Sequence, residues 1–191
     1  MSNLQSPLED AHFSGLIDIR EAGLRGMITL RGDLSNASIA NAATTVAKVA
    51  MPDIGHANSD KGRAICWMSP DELLVIGPYD QVANDISVMQ TSSGNVHHLL
   101  ADVSDARAVF TLTGDKIRDV LAKLAPADLS PTACPVGAMR RTRFAQVPAA
   151  FFFKSETEVE LICFRSVAHY MFDLLSQAAD PNADVGYFSK S

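Results

Sequence analysis

Short apolar runs with strand character alternate along this chain with stretches in which apolar residues recur every three or four positions, the helical period. Residues 26–30 read as the first clear strand, and Leu16-Ile17-Asp18-Ile19 before it as a short alternating edge segment. Gly32-Asp33-Leu34-Ser35 supplies a turn and side chains able to cap a helix start. The following helix, 36–50, puts Ile39, Ala42, Val46 and Val49 on one face and stops at Pro52. Residues 51–63 read as a loop rich in Gly, Asn, Asp and Pro. Strands at 64–68 and 73–76 are joined by Ser69-Pro70-Asp71-Glu72, where proline presets a turn and implies a hairpin. A second helix enters after Gly77-Pro78, carries Tyr79, Val82, Ile86 and Met89 in phase, and ends at Ser92-Ser93-Gly94-Asn95.

The second half repeats the first. Arg25-Gly26-Met27-Ile28-Thr29-Leu30-Arg31-Gly32-Asp33 recurs as Arg107-Ala108-Val109-Phe110-Thr111-Leu112-Thr113-Gly114-Asp115. Thr113 or Asp115 caps a helix with Ile117, Val120, Leu121 and Leu124 on one face, and Pro126, Pro131 and Pro135 make a long connection. A hairpin of 151–153 and 159–164 follows, then a helix over 166–178 with Val167, Tyr170, Met171, Leu174, Leu175 and Ala178 on its buried side. Each half thus reads strand, helix, hairpin, helix. Two such units predict an α+β fold, a ferredoxin-like pseudo-repeat with a largely antiparallel sheet and helices on one face. The expected organisation is an N-terminal arm (1–23), a first repeat (24–98), a second repeat (99–180) and a dispensable C-terminal tail (181–191), all in one cooperative body.

Composition narrows the function. The chain has 191 residues and is 47% hydrophobic, enough for a sizeable core that buries roughly 70% of the unfolded surface. No apolar run approaches the roughly 18 residues of a membrane span, and the polar, acidic start resembles neither a secretory signal nor a transit peptide. A net charge of −6 argues against nucleic acid. Cys66, Cys134 and Cys163 are far apart and odd in number, which fits reduced thiols in the cytoplasm rather than a zinc site or disulfide framework.

Phosphate loops, dinucleotide fingerprints, nucleophile elbows and His-Glu-x-x-His are all absent, so no catalytic or metal-binding residue is assigned. The adjacent pair His97-His98 is a poor chelate, because neighbours on a strand point to opposite faces. Arg140-Arg141-Thr142-Arg143 is the densest positive patch. On a strand, Arg141 and Arg143 would share a face able to grip a carboxylate or phosphate, or simply form surface ion pairs. Asp102, in Asp102-Val103-Ser104-Asp105, either offers a carboxylate to a cleft or caps a turn. Trp67, beside the hairpin turn, suits a core or an interface better than a stacking platform.

Several of these segments together resemble the gamma subunit of heterotetrameric sarcosine oxidase. They are Trp67-Met68-Ser69-Pro70-Asp71-Glu72-Leu73-Leu74; Asp102-Val103-Ser104-Asp105-Ala106-Arg107 with Gly114-Asp115; Asp128-Leu129 before a Pro-rich loop, then Gly137 with Arg141-Thr142; and Arg165-Ser166-Val167-Ala168-His169-Tyr170. Leu73 and Val167 depart from the pattern, where Trp and Phe are common, yet both remain apolar.

The resemblance implies a fold like the folate-binding part of glycine-cleavage aminomethyltransferases and a subunit with no catalytic centre or bound cofactor of its own. It also implies partners: a beta subunit with flavins (FAD, FMN), an alpha subunit with NAD and tetrahydrofolate, and a delta subunit with zinc. That assembly oxidises sarcosine to glycine, reduces oxygen to hydrogen peroxide, and passes on the one-carbon unit or releases it as formaldehyde. An apolar surface around Phe151, Phe152 and Phe153 is the expected docking region. The competing reading is a stand-alone folate-binding protein in which Asp102 faces the pterin or amine and Arg141 or Arg143 holds the glutamate tail. A small-molecule-sensing module on a ferredoxin-like repeat is a third.

Overall fold

Residues 5–188 are described by a computed structural model, and their elements follow the apolar runs closely. Two short strands, β1 (His12–Ser14) and β2 (Asp18–Glu21), precede β3 (Arg25–Gly32), α1 (Ala37–Ala47), β4 (Ala57–Asp60), β5 (Arg63–Ser69) and β6 (Glu72–Pro78). Then come α2 (Val82–Ser93), β7 (His98–Asp102), β8 (Arg107–Thr113) and α3 (Ile117–Ala122). The last elements are β9 (Met139–Phe144), β10 (Val147–Ser155), β11 (Glu158–Phe164) and α4 (Ala168–Ala178).

The chain divides into two compact units, one of residues 24–105 and one of residues 1–23 with 106–191. The first holds a five-stranded sheet in the order β4-β5-β6-β3-β7, and the second a six-stranded sheet in the order β1-β2-β8-β11-β10-β9. Every neighbouring pair is antiparallel. In the five-stranded unit, Ile28, Leu30, Ile65, Leu73 and Val75 from the sheet pack with Ile39, Ala42, Ala43 and Val46 of α1. In the six-stranded unit, Phe110, Leu112, Phe151 and Phe153 pack with Ile117, Val120 and Leu121 of α3 and with Met171 and Leu175 of α4. Phe151 meets Phe144 and Phe153 edge-to-face, with centroids 5.7 and 6.1 Å apart. Burying each such large side chain contributes about 1.5–3 kcal/mol.

The repeat seen in the sequence persists in the ladders of the two units. Both hairpins shift register at corresponding places, between Trp67 and Ser69 and between Phe153 and Ser155, and both close on a Ser–Glu pair, Ser69↔Glu72 and Ser155↔Glu158. Gly32 N–H donates to Asp71 O, and Gly114 N–H donates to Thr157 O, each at 3.0 Å. The unit boundary, however, lies after Asp105 rather than after His98. Leu99 to Asp102 belong to β7, which pairs with β3, because the run 98–102 finds an open ladder beside β3.

Other differences have local causes. The described part of the N-terminal arm is built into the sheet: β1 pairs with β2, and β2 with β8, burying Ile17 and Ile19. Asn36 caps α1 by accepting from Ser38 N–H at 2.9 Å, while Asp33 accepts from Ser35 in the preceding turn. That helix ends at Lys48, left-handed at φ 56°, rather than at 50. Neither Thr113 nor Asp115 caps α3; Lys116 occupies that place without a side-chain bond. Residues 57–60 of the expected loop pair as β4. Tyr170 is half exposed rather than buried, since the α4 stripe runs through Ala168, Met171 and Leu175.

The tail is also tied down as far as residue 188. Lys123 Nζ donates to Ala178 O and Ala183 O, and the buried Asp119 carboxylate accepts from the Tyr187 and Phe188 amides at 2.8 and 3.0 Å. Residues 1–4 of the arm and 189–191 of the tail lie outside the described residues.

Arg118 fixes the Pro-rich connection. Buried among apolar neighbours, its guanidinium donates to Leu129 O (2.7 Å), Cys134 O (2.9 Å) and Glu156 (2.8 Å) and lies 4.2 Å from the centre of the Phe153 ring. Arg118→Ala strands two buried carbonyls and removes packing, so it should cost about 3 kcal/mol and lower the melting temperature by several degrees in calorimetry. Arg118→Lys should restore only part of this, because an ammonium lacks the planar fork.

Candidate functional site

The β5–β6 hairpin turn, Ser69 to Glu72, is flanked by two grooves on the five-stranded unit. One is apolar, about 400 Å³, and lined by Leu34, Met51, Pro52, Ile54, Trp67 and Pro70. Trp67 sits at the start of the bulge, so the register shift turns the strand where its ring packs partly on the core. Ile54, 79% exposed, extends the apolar lining of this groove to the surface. The second groove, about 290 Å³, is lined by Arg31, Gly32, Asp71, His97, His98 and Leu99.

Electrostatics stiffen this turn. Ser69 Oγ donates to Asp71 at 2.6 Å, and that bond, with Arg31 nearby, holds the Asp71 carboxyl below the usual carboxylate range. Arg31 donates to Glu72 at 2.9 Å, and this bond and the two carboxylates push its own pKa up. His98 Nδ1 lies 2.7 Å from Val96 O and its Nε2 3.3 Å from Gln90, while His97 is exposed, so the pair does not converge.

Asp102 and the two arginines fall in different units. The Asp102 carboxylate accepts from Ser104 N–H (2.9 Å) and Ser104 Oγ (2.6 Å), and Ser104 Oγ in turn accepts from Met27 N–H at 3.0 Å. It thus caps the short 3-10 turn Ser104–Ala106 and fastens it to β3. Arg141 and Arg143 do share an exposed face, on β9, while Arg140 turns the other way to Met139 O and Ala133 O. Phe151, Phe152 and Phe153 offer no surface, since all three are at most 1% exposed. Among the described residues no group of three or more His, Cys, Asp or Glu is placed to hold a metal ion, and no helix is long and apolar enough to cross a membrane.

Known proteins give this geometry its context. The family model described as sarcosine oxidase, gamma subunit family, matches residues 31–181, most of the chain. This chain belongs to the sarcosine oxidase gamma subunit family. The gamma subunit of Corynebacterium sp. (strain P-1) is 26% identical over 95% of this chain and 91% of its own length, and that of an Arthrobacter species is 24% identical over 94% and 90%. Among solved structures, a chain of the heterotetrameric sarcosine oxidase from Corynebacterium sp. U-96 matches with a TM-score of 0.81 and 24% identity, covering 94% of this chain and 96% of that one. The glycine cleavage aminomethyltransferase T of Bartonella henselae shares the fold at a TM-score of 0.60 and 12% identity, over 81% of this chain and 44% of that one.

Within this family member the motif segments fall at the turn and cap positions just described: Trp67 to Leu74 spans the bulged hairpin, and Asp102 to Arg107 spans the capped turn. Sequence reasoning missed Leu34, Met51, Pro52 and Ile54 as partners of Trp67. The one available signal was an isoleucine in an otherwise polar loop.

Two tests follow from these environments. Ser69→Ala removes the bond that keeps Asp71 ionised, so its carboxyl should titrate at higher pH by NMR; turn stability, present above the usual carboxylate pKa and lost as pH falls, should then fade at higher pH. All three cysteines are buried, and burial pushes the Cys163 thiol up to about 12 and raises that of Cys134. The native protein should therefore resist a thiol reagent at pH 8, whereas the denatured chain reacts at all three positions.

Proposed function

We propose that this chain is a non-catalytic, structural subunit that assembles with alpha, beta and delta chains into a cytoplasmic sarcosine oxidase. The observation that carries the reading is the family match across residues 31–181. Two features of the chain support it. The candidate acid Asp102 is engaged as a turn cap, and the groove beside Trp67 is lined by Leu34, Met51, Pro52, Ile54 and Pro70, none of which can act as acid, base or nucleophile. Flavin, NAD, zinc and tetrahydrofolate then reside on the partner subunits, where sarcosine is oxidised to glycine, hydrogen peroxide and a one-carbon product. The contribution of this chain is to hold those subunits in place.

Affinity-tagged chain, recovered gently from its native host, tests this. The expected outcome is a yellow preparation containing three further chains and forming peroxide on addition of sarcosine, while the chain alone is colourless and inactive. An isolated chain that oxidises sarcosine overturns the proposal. A solitary, colourless protein would instead favour the stand-alone folate-binding reading.

A further inference from the structure

The two sheets have matching cores but different edges. Laid in corresponding order, β9-β10-β11-β8-β2 matches β4-β5-β6-β3-β7, and β1 is left over. Residue by residue, β2 stands to β8 as β7 stands to β3: Ile19 faces Leu112 as Leu100 faces Leu30, and Glu21 faces Phe110 as Asp102 faces Ile28. The next hydrogen bonds correspond as well, Ala22 N–H to Val109 O and Val103 N–H to Met27 O, both at 2.9 Å. In the six-stranded unit the outer side of β2 is filled by β1, which sets Phe13 opposite Ile19. In the five-stranded unit the corresponding side of β7 has no sixth strand among the described residues.

Burial records the difference. Along β2, Ile19 and Glu21 are buried and alternate with exposed residues. No residue of β7 is buried, Leu100 is only partly covered although it packs on the core, and Leu99 is 53% exposed.

The other sheet edges carry devices that discourage pairing with a foreign strand. β1 is three residues long. β4 reads Ala-Asn-Ser-Asp and runs into Lys61, and β9 exposes Arg141 and Arg143. By contrast, β7 reads His-Leu-Leu-Ala-Asp, with only its last residue a carboxylate. An antiparallel edge strand leaves alternate N–H and C=O groups pointing outward, which an extended segment can pair.

We propose that the outer edge of β7 receives an extended segment of another sarcosine oxidase subunit as a sixth strand. This rests on the subunit reading above. The internal counterpart specifies the chemistry of the occupant. Where β1 supplies His12-Phe13-Ser14, the incoming segment supplies a polar–apolar–polar stretch without proline, its central large apolar side chain lying over Leu100 as Phe13 lies over Ile19.

Amide hydrogen exchange on the full chain, alone and assembled with its cognate subunits, tests this directly. Amides in 98–102 should slow about tenfold or more on assembly, while those of 57–60 in β4 stay unchanged. Leu99→Glu places a charge on the exposed edge, so the isolated chain should keep its melting temperature yet enter the complex about tenfold less readily. Assembly without slower exchange at 98–102 overturns the proposal and leaves the subunit reading intact, as does normal assembly of Leu99→Glu. Slowing that develops in the isolated chain as it dimerises assigns the edge to a second copy and also overturns it. Failure to assemble with cognate subunits under any condition removes the subunit reading and this inference with it.

Discussion

The pairing of β2 with β8 joins parts of the chain that are separated by the entire five-stranded unit, and the six-stranded unit is incomplete without it. Closing a flexible loop of that length would cost roughly 4 kcal/mol in chain entropy, beyond a constant for any closure. The intervening unit lowers that cost by its own folding. Ile28 lies opposite Asp102, and Val103 N–H bonds Met27 O, so the two ends of the 24–105 segment leave it side by side. Once that unit has formed, β2 and β8 emerge from neighbouring points. The ladder that buries Ile19 against Leu112 then closes a short connection instead of a long one. The Asp102–Ser104 cap belongs to the same device, because it holds the exit of the segment against β3.

That role explains why a conspicuous carboxylate need not signal catalysis. Asp102 stands in the register position of Glu21 in the other unit, and both side chains fasten nearby chain: Asp102 holds Ser104, and Glu21 accepts from Ser6 Oγ and Asp10 N–H. Two carboxylates at matching places in a duplicated ladder perform matching structural work. Two surface features have no such internal purpose among the described residues: the groove beside Trp67 with its exposed Ile54, and the outer edge of β7. Both suit the assembly proposed above, since association rests on apolar patches and open ladders rather than on titrating groups.

Much of the fold could be read from the residues because the determining signals are local. The period-two and helical-period runs, the Pro70 turn and the nine-residue echo located the two hairpins, α1, α2 and α4, and the repeat. They also placed Arg141 and Arg143 on a common face once β9 is a strand. These outcomes depend on side-chain polarity at fixed spacing, which a single segment carries by itself.

What the sequence left open depends on partners far along the chain. Nothing within 98–102 says whether it opens the second repeat or closes the first sheet; the free ladder beside β3 decides it. Nothing within 1–23 says that Ile17 and Ile19 are buried against β8, or within 181–188 that backbone amides reach Asp119. Ladder pairing and tail docking are long-range hydrogen-bonding choices, invisible to local periodicity because the competing registers look alike until the rest of the sheet exists. The sequence by itself determined the two hairpins, the helices that follow them, and the echo between the halves. Tertiary structure decided which strand closes which sheet, and so which edges stay unpaired among the described residues, because those pairings are made between segments far apart in the chain.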